Sequence, residues 1–131
     1  MSVTVIDASA IAAFLFQETS ADRIETLIQN RELVGPSLLP FEVANACASK
    51  VRRFPDKSHV FLAALRTFLE LRIPARDVDI GAVFDLAGRT GLTAYDASYL
   101  WLARELDAEL VTLDAQLGRA YAALLRQTPS P

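Results

Sequence analysis

Short apolar strands set apart by helical stretches are what most constrains the fold of this chain. Val3–Ile6 is a β-branched run of strand length. Residues 33–35, closed by Pro36, residues 73–78 and residues 109–113 read as three further strands, with 73–78 the weakest. Around them apolar residues recur at helical spacing, over 10–16, 21–30, 40–54, 57–71, 80–89, 94–106 and 115–125. Pro40 suits a first helical turn, Pro55 stops that helix, and Gly91 stops a later one. The 94–106 stretch is largely apolar all round, which predicts burial on more than one side. Strands joined through helices cannot pair by tight hairpins, so the expected fold is α/β, a three-layer α/β/α sandwich with a mainly parallel central sheet. Such a sheet binds ligands outside the carboxyl ends of its strands.

A length of 131 residues suits one domain spanning 1–131, with 126–131 expected as a frayed tail. Apolar residues make up 52% of the chain, ample for a core. No apolar run approaches the roughly 18–20 residues of a membrane span, and no basic segment precedes the first apolar stretch. A soluble, cytoplasmic protein with no membrane partner is expected. The net charge of −3 argues against binding nucleic acid over the whole surface, so chemistry on nucleic acid has to rest on a local site. Cys47, the only cysteine, rules out an internal disulfide and lies at helical spacing between Val43 and Val51, which predicts a buried apolar role. The single histidine, His59, excludes a His-rich zinc site and is expected as a solvated helix residue.

Four acids fall where a parallel sheet would gather them. Asp7 follows the first strand and Asp114 follows the last, while Glu42 and Asp96 lie in the first turns of their helices. Each has an ordinary structural use: Asp7 and Asp114 as N-caps, Asp96 in a capping box with Thr93, Glu42 against a helix dipole. Together they point elsewhere. Two carboxylates about 4 Å apart repel by roughly 4 kcal/mol at an effective dielectric of 20, so a converging quartet must take up protons or bind cations. No Lys or Arg lies within three residues of Asp7, Glu42 or Asp114. Oxygen ligands without His or Cys favour Mg²⁺ or Mn²⁺ over zinc.

Four segments carry a family resemblance: Val5-Ile6-Asp7-Ala8-Ser9, Pro40-Phe41-Glu42-Val43-Ala44-Asn45-Ala46, Ala94-Tyr95-Asp96-Ala97-Ser98-Tyr99-Leu100 and Leu110-Val111-Thr112-Leu113-Asp114-Ala115-Gln116-Leu117. In order and spacing the chain resembles the PIN domain, and within it the VapC toxins of bacterial toxin–antitoxin pairs. The resemblance implies a parallel α/β/α sandwich and an Mg²⁺- or Mn²⁺-dependent endoribonuclease acting on RNA, neutralised by a cognate antitoxin and expected as a homodimer. Asp7, Glu42, Asp96 and Asp114 match the family's acidic quartet, as catalytic residues and metal ligands. Ser9 and Thr112 match its supporting polar positions, and Asn45 matches the Asn one turn after the Glu. Residues 55–80 carry no family motif.

Lys50, Arg52 and Arg53 are candidates for RNA phosphates, with favourable placement at a helix C-terminus as their structural use; Arg23 and Arg89 are weaker ones. Phe14, Phe16 and Phe41 are candidates for an antitoxin groove, and Tyr99 and Trp101 for a dimer face, with core packing as the alternative for each. Three other readings compete. A non-catalytic PIN-like scaffold would bind RNA or protein without cutting. A receiver-like signalling domain would need paired acids after the first strand and a Lys near the end of the last. A haloacid-dehalogenase-type phosphatase would need an acid where Ser9 stands.

Overall fold

Every strand expected from the sequence enters one parallel sheet. In the computed structural model, which describes residues 3–127, the order is β1 (Val3–Ile6), α1 (Ala8–Leu15), α2 (Ala21–Ile28), β2 (Glu32–Pro36), α3 (Leu39–Arg53), a 3-10 turn (Pro55–Lys57), α4 (Ser58–Leu71), β3 (Ala75–Arg76), α5 (Ile80–Thr90), α6 (Ala94–Glu105), β4 (Glu109–Val111) and α7 (Ala115–Gln127). The strands lie in the order β3-β2-β1-β4, and each adjacent pair is parallel. β1 is central: Val5 pairs with Val34 on one side and Leu110 on the other.

Two strands are shorter than expected. β3 shrinks to Ala75–Arg76, an exposed edge where the carbonyls of Pro74 and Arg76 accept from Gly35 and Ser37. Its charge and its short length blunt an otherwise open edge. β4 stops at Val111, because Thr112 and Leu113 spend their polar groups on another task described below.

Strand order also sorts the helices. The chain steps from β1 to β2 to β3 in one direction, then returns over the sheet to β4. Right-handed crossovers therefore put α1–α4 on one face and α5 and α6 on the other. The packing agrees: α1 touches α2, α3 and α4, while α6 touches α5, α7 and three strands. The direction changes between β1 and β4, so the crevice beyond their carboxyl ends is the natural ligand position.

The core runs from Val5, Ile6 and Ile11 through Leu39 and Val43 to Tyr99, Leu100 and Leu117. α6 buries Ala97–Leu100 together with Leu102 and Ala103, as its apolar character predicts. Cys47 is buried and unpaired, and His59 is exposed. Gly91, at φ 75°, ends α5 in the left-handed conformation that glycine adopts readily. α7 continues to Gln127, so the first two residues of the expected tail are helical; residues 128–131 lie outside the described residues.

Two packing details generate tests. The Thr4 hydroxyl is buried in mid-sheet and finds no hydrogen-bond partner among the described residues. Thr4→Val should raise the unfolding free energy by about 1 kcal/mol in a denaturant titration, because the hydroxyl loses water without a replacement. A Cβ on Gly35 would lie 2.6 Å from Leu39 Cδ2, inside the core. Gly35→Ala should therefore cost about 1–3 kcal/mol, and much less in a Leu39→Val background.

Candidate active site

Strand pairing places Asp7 before its side chain does anything. Its N–H donates to the Val111 carbonyl at 3.1 Å, extending the β1–β4 ladder by one residue. Its side chain, in a residue only 4% exposed, then caps α1: Oδ1 accepts from the Ala10 N–H at 3.0 Å and from the Ser9 hydroxyl at 2.7 Å. Oδ2 accepts from the Thr112 hydroxyl. Ser9 Oγ in turn accepts from the Leu113 N–H at 3.0 Å, and Thr112 Oγ1 accepts from the Asp114 N–H at 3.0 Å. Asp114 Oδ1 caps α7 by accepting from the Leu117 N–H at 2.8 Å. Ser9 and Thr112 thus stitch the turn after β1 to the turn after β4, which is why β4 ends early.

Glu42 and Asp96 arrive from opposite layers. Glu42 lies in the first turn of α3, and its Oε1 accepts from the Tyr99 hydroxyl at 2.6 Å. Tyr99 is 1% exposed, so of its two readings core packing holds and the dimer face does not: it is a core residue whose hydroxyl orients an acid of the quartet. A buried tyrosine needs a hydrogen-bond partner, and that rule was the available signal. Asp96 follows the Thr93 cap, whose Oγ1 accepts the Asp96 N–H at 3.1 Å. The expected capping box is half formed, because among the described residues no hydrogen bond engages the Asp96 carboxylate.

The acids feel one another. Burial comes first in raising the carboxyl pKa of Asp7, Glu42 and Asp96 above the usual range. Asp114 adds to the rise at Asp7 and Asp96, and Asp96 and Asp7 add to it at Glu42. Three hydrogen bonds to Asp7 and the Tyr99 bond to Glu42 offset only part of this. Burial, and then the bond to Glu42, push the Tyr99 hydroxyl well above the ordinary phenol range.

The quartet therefore shares one edge of the sheet. Among the described residues, however, no three His, Cys, Asp or Glu side chains stand together as a ready-made metal cluster. In kind the donor set suits a hard divalent cation: four carboxylates, no nitrogen and no sulfur.

The remaining candidates are dispersed. Asn45 is exposed, and its side chain makes no hydrogen bond among the described residues. Lys50 and Arg53 lie at the far end of α3, eight and eleven residues on from Glu42, or roughly 12–16 Å along the helix. Lys50 Nζ sits 5.3 Å from the Phe16 ring centre, and the Arg53 guanidinium 5.2 Å from that of Phe54. Arg52 donates to Ser49 at 3.2 Å. Phe16 packs edge-on against Phe61, Phe14 leans on the core, and Trp101 is half-buried against it. Of the three groove candidates Phe41 alone is exposed, at 79%.

With this geometry in view, the PIN-domain family profile matches residues 4–123. The chain is 35% identical over 126 residues to a protein named ribonuclease VapC3 from Pyrobaculum aerophilum, covering 92% of this chain and 96% of that one. It is 34% identical over 120 residues to ribonuclease VapC9 from Mycobacterium tuberculosis, covering 86% and 87%. The crystal structure of PAE2754 from Pyrobaculum aerophilum superposes with a TM-score of 0.76 at 25% identity, over 96% of this chain and 94% of that one.

A carboxyl whose pKa is raised by folding takes up its proton before the unfolded chain does. The stability it withholds at neutral pH returns as pH falls through the raised value, and is fully present below the ordinary carboxylate value near 4. In chelator, the melting temperature should therefore be held down at neutral pH and recover as pH falls toward the ordinary carboxylate value near 4. Asp96→Asn removes a charge but no side-chain hydrogen bond, so it should flatten that recovery. A variant with the parent's slope would show that folding does not raise the Asp96 pKa, by burial or by its acidic neighbours.

Proposed function

This chain belongs to the PIN-domain family, and from that premise we propose that it is a metal-dependent endoribonuclease, the toxin of a toxin–antitoxin pair. The observation that carries the reading is the gathering of Asp7, Glu42, Asp96 and Asp114 at the strand-order switch between β1 and β4. The relatives named as ribonucleases support the reaction class, since they align over most of their own length. The substrate in this reading is RNA, and the regulatory partner is a cognate antitoxin protein.

Asp7, Glu42 and Asp96 would hold Mg²⁺ or Mn²⁺, with Asp114 completing the site or helping to hold a second ion. When bound, such an ion supplies charge stabilisation at a scissile phosphate and a more acidic water. The chain's own residues do the positioning. Ser9 and Thr112 engage both oxygens of Asp7, which fixes the plane of that carboxylate. Tyr99 holds Oε1 of Glu42 and leaves Oε2 available. Asp96, with no competing hydrogen bond on its carboxylate, is able to turn toward a cation. Asp114 keeps one oxygen on the start of α7 and has the other to offer.

The separation of the carboxylates favours a second reading, a scaffold that binds without cutting. One experiment separates the two. Total cellular RNA is incubated with the purified protein in Mg²⁺, in Mn²⁺ or in chelator, beside Asp7→Asn and Asp96→Asn. The enzyme should produce discrete fragments with either metal and none in chelator, and each variant should lose at least about 100-fold in rate. Uncut RNA throughout would favour the scaffold, and full activity in the variants would remove the quartet from the chemistry. Tyr99→Phe keeps the ring but releases Glu42, and should reduce activity or metal affinity by about 10–100-fold.

A further inference from the structure

Phe41 and Tyr95 are 79% and 66% exposed, and each immediately precedes an acid of the quartet, Glu42 and Asp96. Neither ring is needed where it stands. Thr93 alone caps α6 at its start, and Pro40 occupies the first turn of α3. Among the described residues Phe41 packs on no other aromatic ring and the Tyr95 hydroxyl has no hydrogen bond. The other large exposed apolar side chains are carried by α4, α5, α7 and the end of α3, so these two are the ones that adjoin quartet acids along the chain, each in the first turn of its helix.

The surroundings make the placement informative. Charges that act on Asp7, Glu42 and Asp96 come from carboxylates, and the whole chain carries −3. Lys50 and Arg53 lie at the other end of α3, over phenylalanine rings. Binding led by phosphate contacts draws on clustered Lys and Arg, which this site lacks. Stacking on an aromatic ring does not depend on charge, and every base has a face to offer. A duplex keeps its bases stacked on one another, so rings of this kind serve RNA whose bases are unpaired.

We propose that Phe41 and Tyr95 are stacking platforms that hold unpaired RNA bases beside the acid quartet. This rests on the endoribonuclease reading and names the two side chains that would grip its RNA. Both residues touch substrate and neither touches the reacting atoms, so their loss acts on binding. Phe41→Ala and Tyr95→Ala should each raise KM by about 5- to 150-fold, with kcat changed little. Tyr95→Phe and Phe41→Trp should keep the parent's KM, and all four variants should melt with the parent, because the side chains are exposed.

The test uses a fluorescein-labelled single-stranded RNA 12-mer of mixed sequence and the same strand annealed to its complement. Binding is read on the full chain carrying Asp7→Asn, and cleavage on the chain with its quartet intact. Tighter binding of the single strand, weakened by either alanine and restored by the aromatic replacements, supports the assignment. Cleavage by the parent with KM and binding unchanged in both alanine variants overturns it while leaving the endoribonuclease reading in place; the rings would then belong to a protein-binding face. No cleavage and no binding by the parent overturns both.

Discussion

The structure turns on one buried carboxylate. Asp7 stands at the end of the central strand, where leaving water opposes its charge, and three donors meet it there: the Ser9 and Thr112 hydroxyls and the Ala10 N–H. A buried charge without such partners is very costly. Satisfying this one shapes its neighbourhood: α1 begins on it, β4 stops short to supply Thr112, and the Leu113 N–H is held by Ser9. Even so, burial outweighs the hydrogen bonds, and the carboxyl stays harder to ionise than in water. The molecule keeps a charge it has not fully compensated, which is what a binding site for a cation requires.

The other acids are delivered by topology. A sheet in the order β3-β2-β1-β4 sends α3 to one layer and α6 to the other. Both helices nevertheless begin at the same edge: α3 starts just past the end of β2, and α6 has to finish near the start of the parallel β4. The Tyr99–Glu42 hydrogen bond ties the two layers together around that edge. It joins a fully packed helix to an acid that would otherwise be held only by its own helix. Core packing and site geometry are thus coupled through a single phenol.

Charge along α3 is polarised in a way that composition hides. Glu42 lies in its first turn and Lys50, Arg52 and Arg53 in its last, an arrangement that complements the helix dipole at both ends. Lys50 and Arg53 are also engaged with aromatic faces. Helix and ring contacts therefore account for these cations without RNA. The exposed side chains that adjoin Glu42 and Asp96 along the chain are aromatic instead, Phe41 and Tyr95.

Much of this was legible before any coordinates. Periodicity placed all seven helices and the bounds of β1, and strand-helix alternation required a parallel sheet. Cap signals located Asp7, Thr93 and Gly91, since each acts on residues within one helical turn. The four acids could be named because each stands at a recognisable strand end or helix start. Tertiary structure alone decided the rest. The length of β4, the atom that Thr112 supports and the place of Tyr99 depend on partners 57 to 105 residues away in sequence. The spread of the carboxylates and the aromatic seats of Lys50 and Arg53 likewise depend on how separate elements pack. Local pattern reports what a segment can form, whereas hydrogen bonds between distant segments exist only once the sheet has brought their ends together.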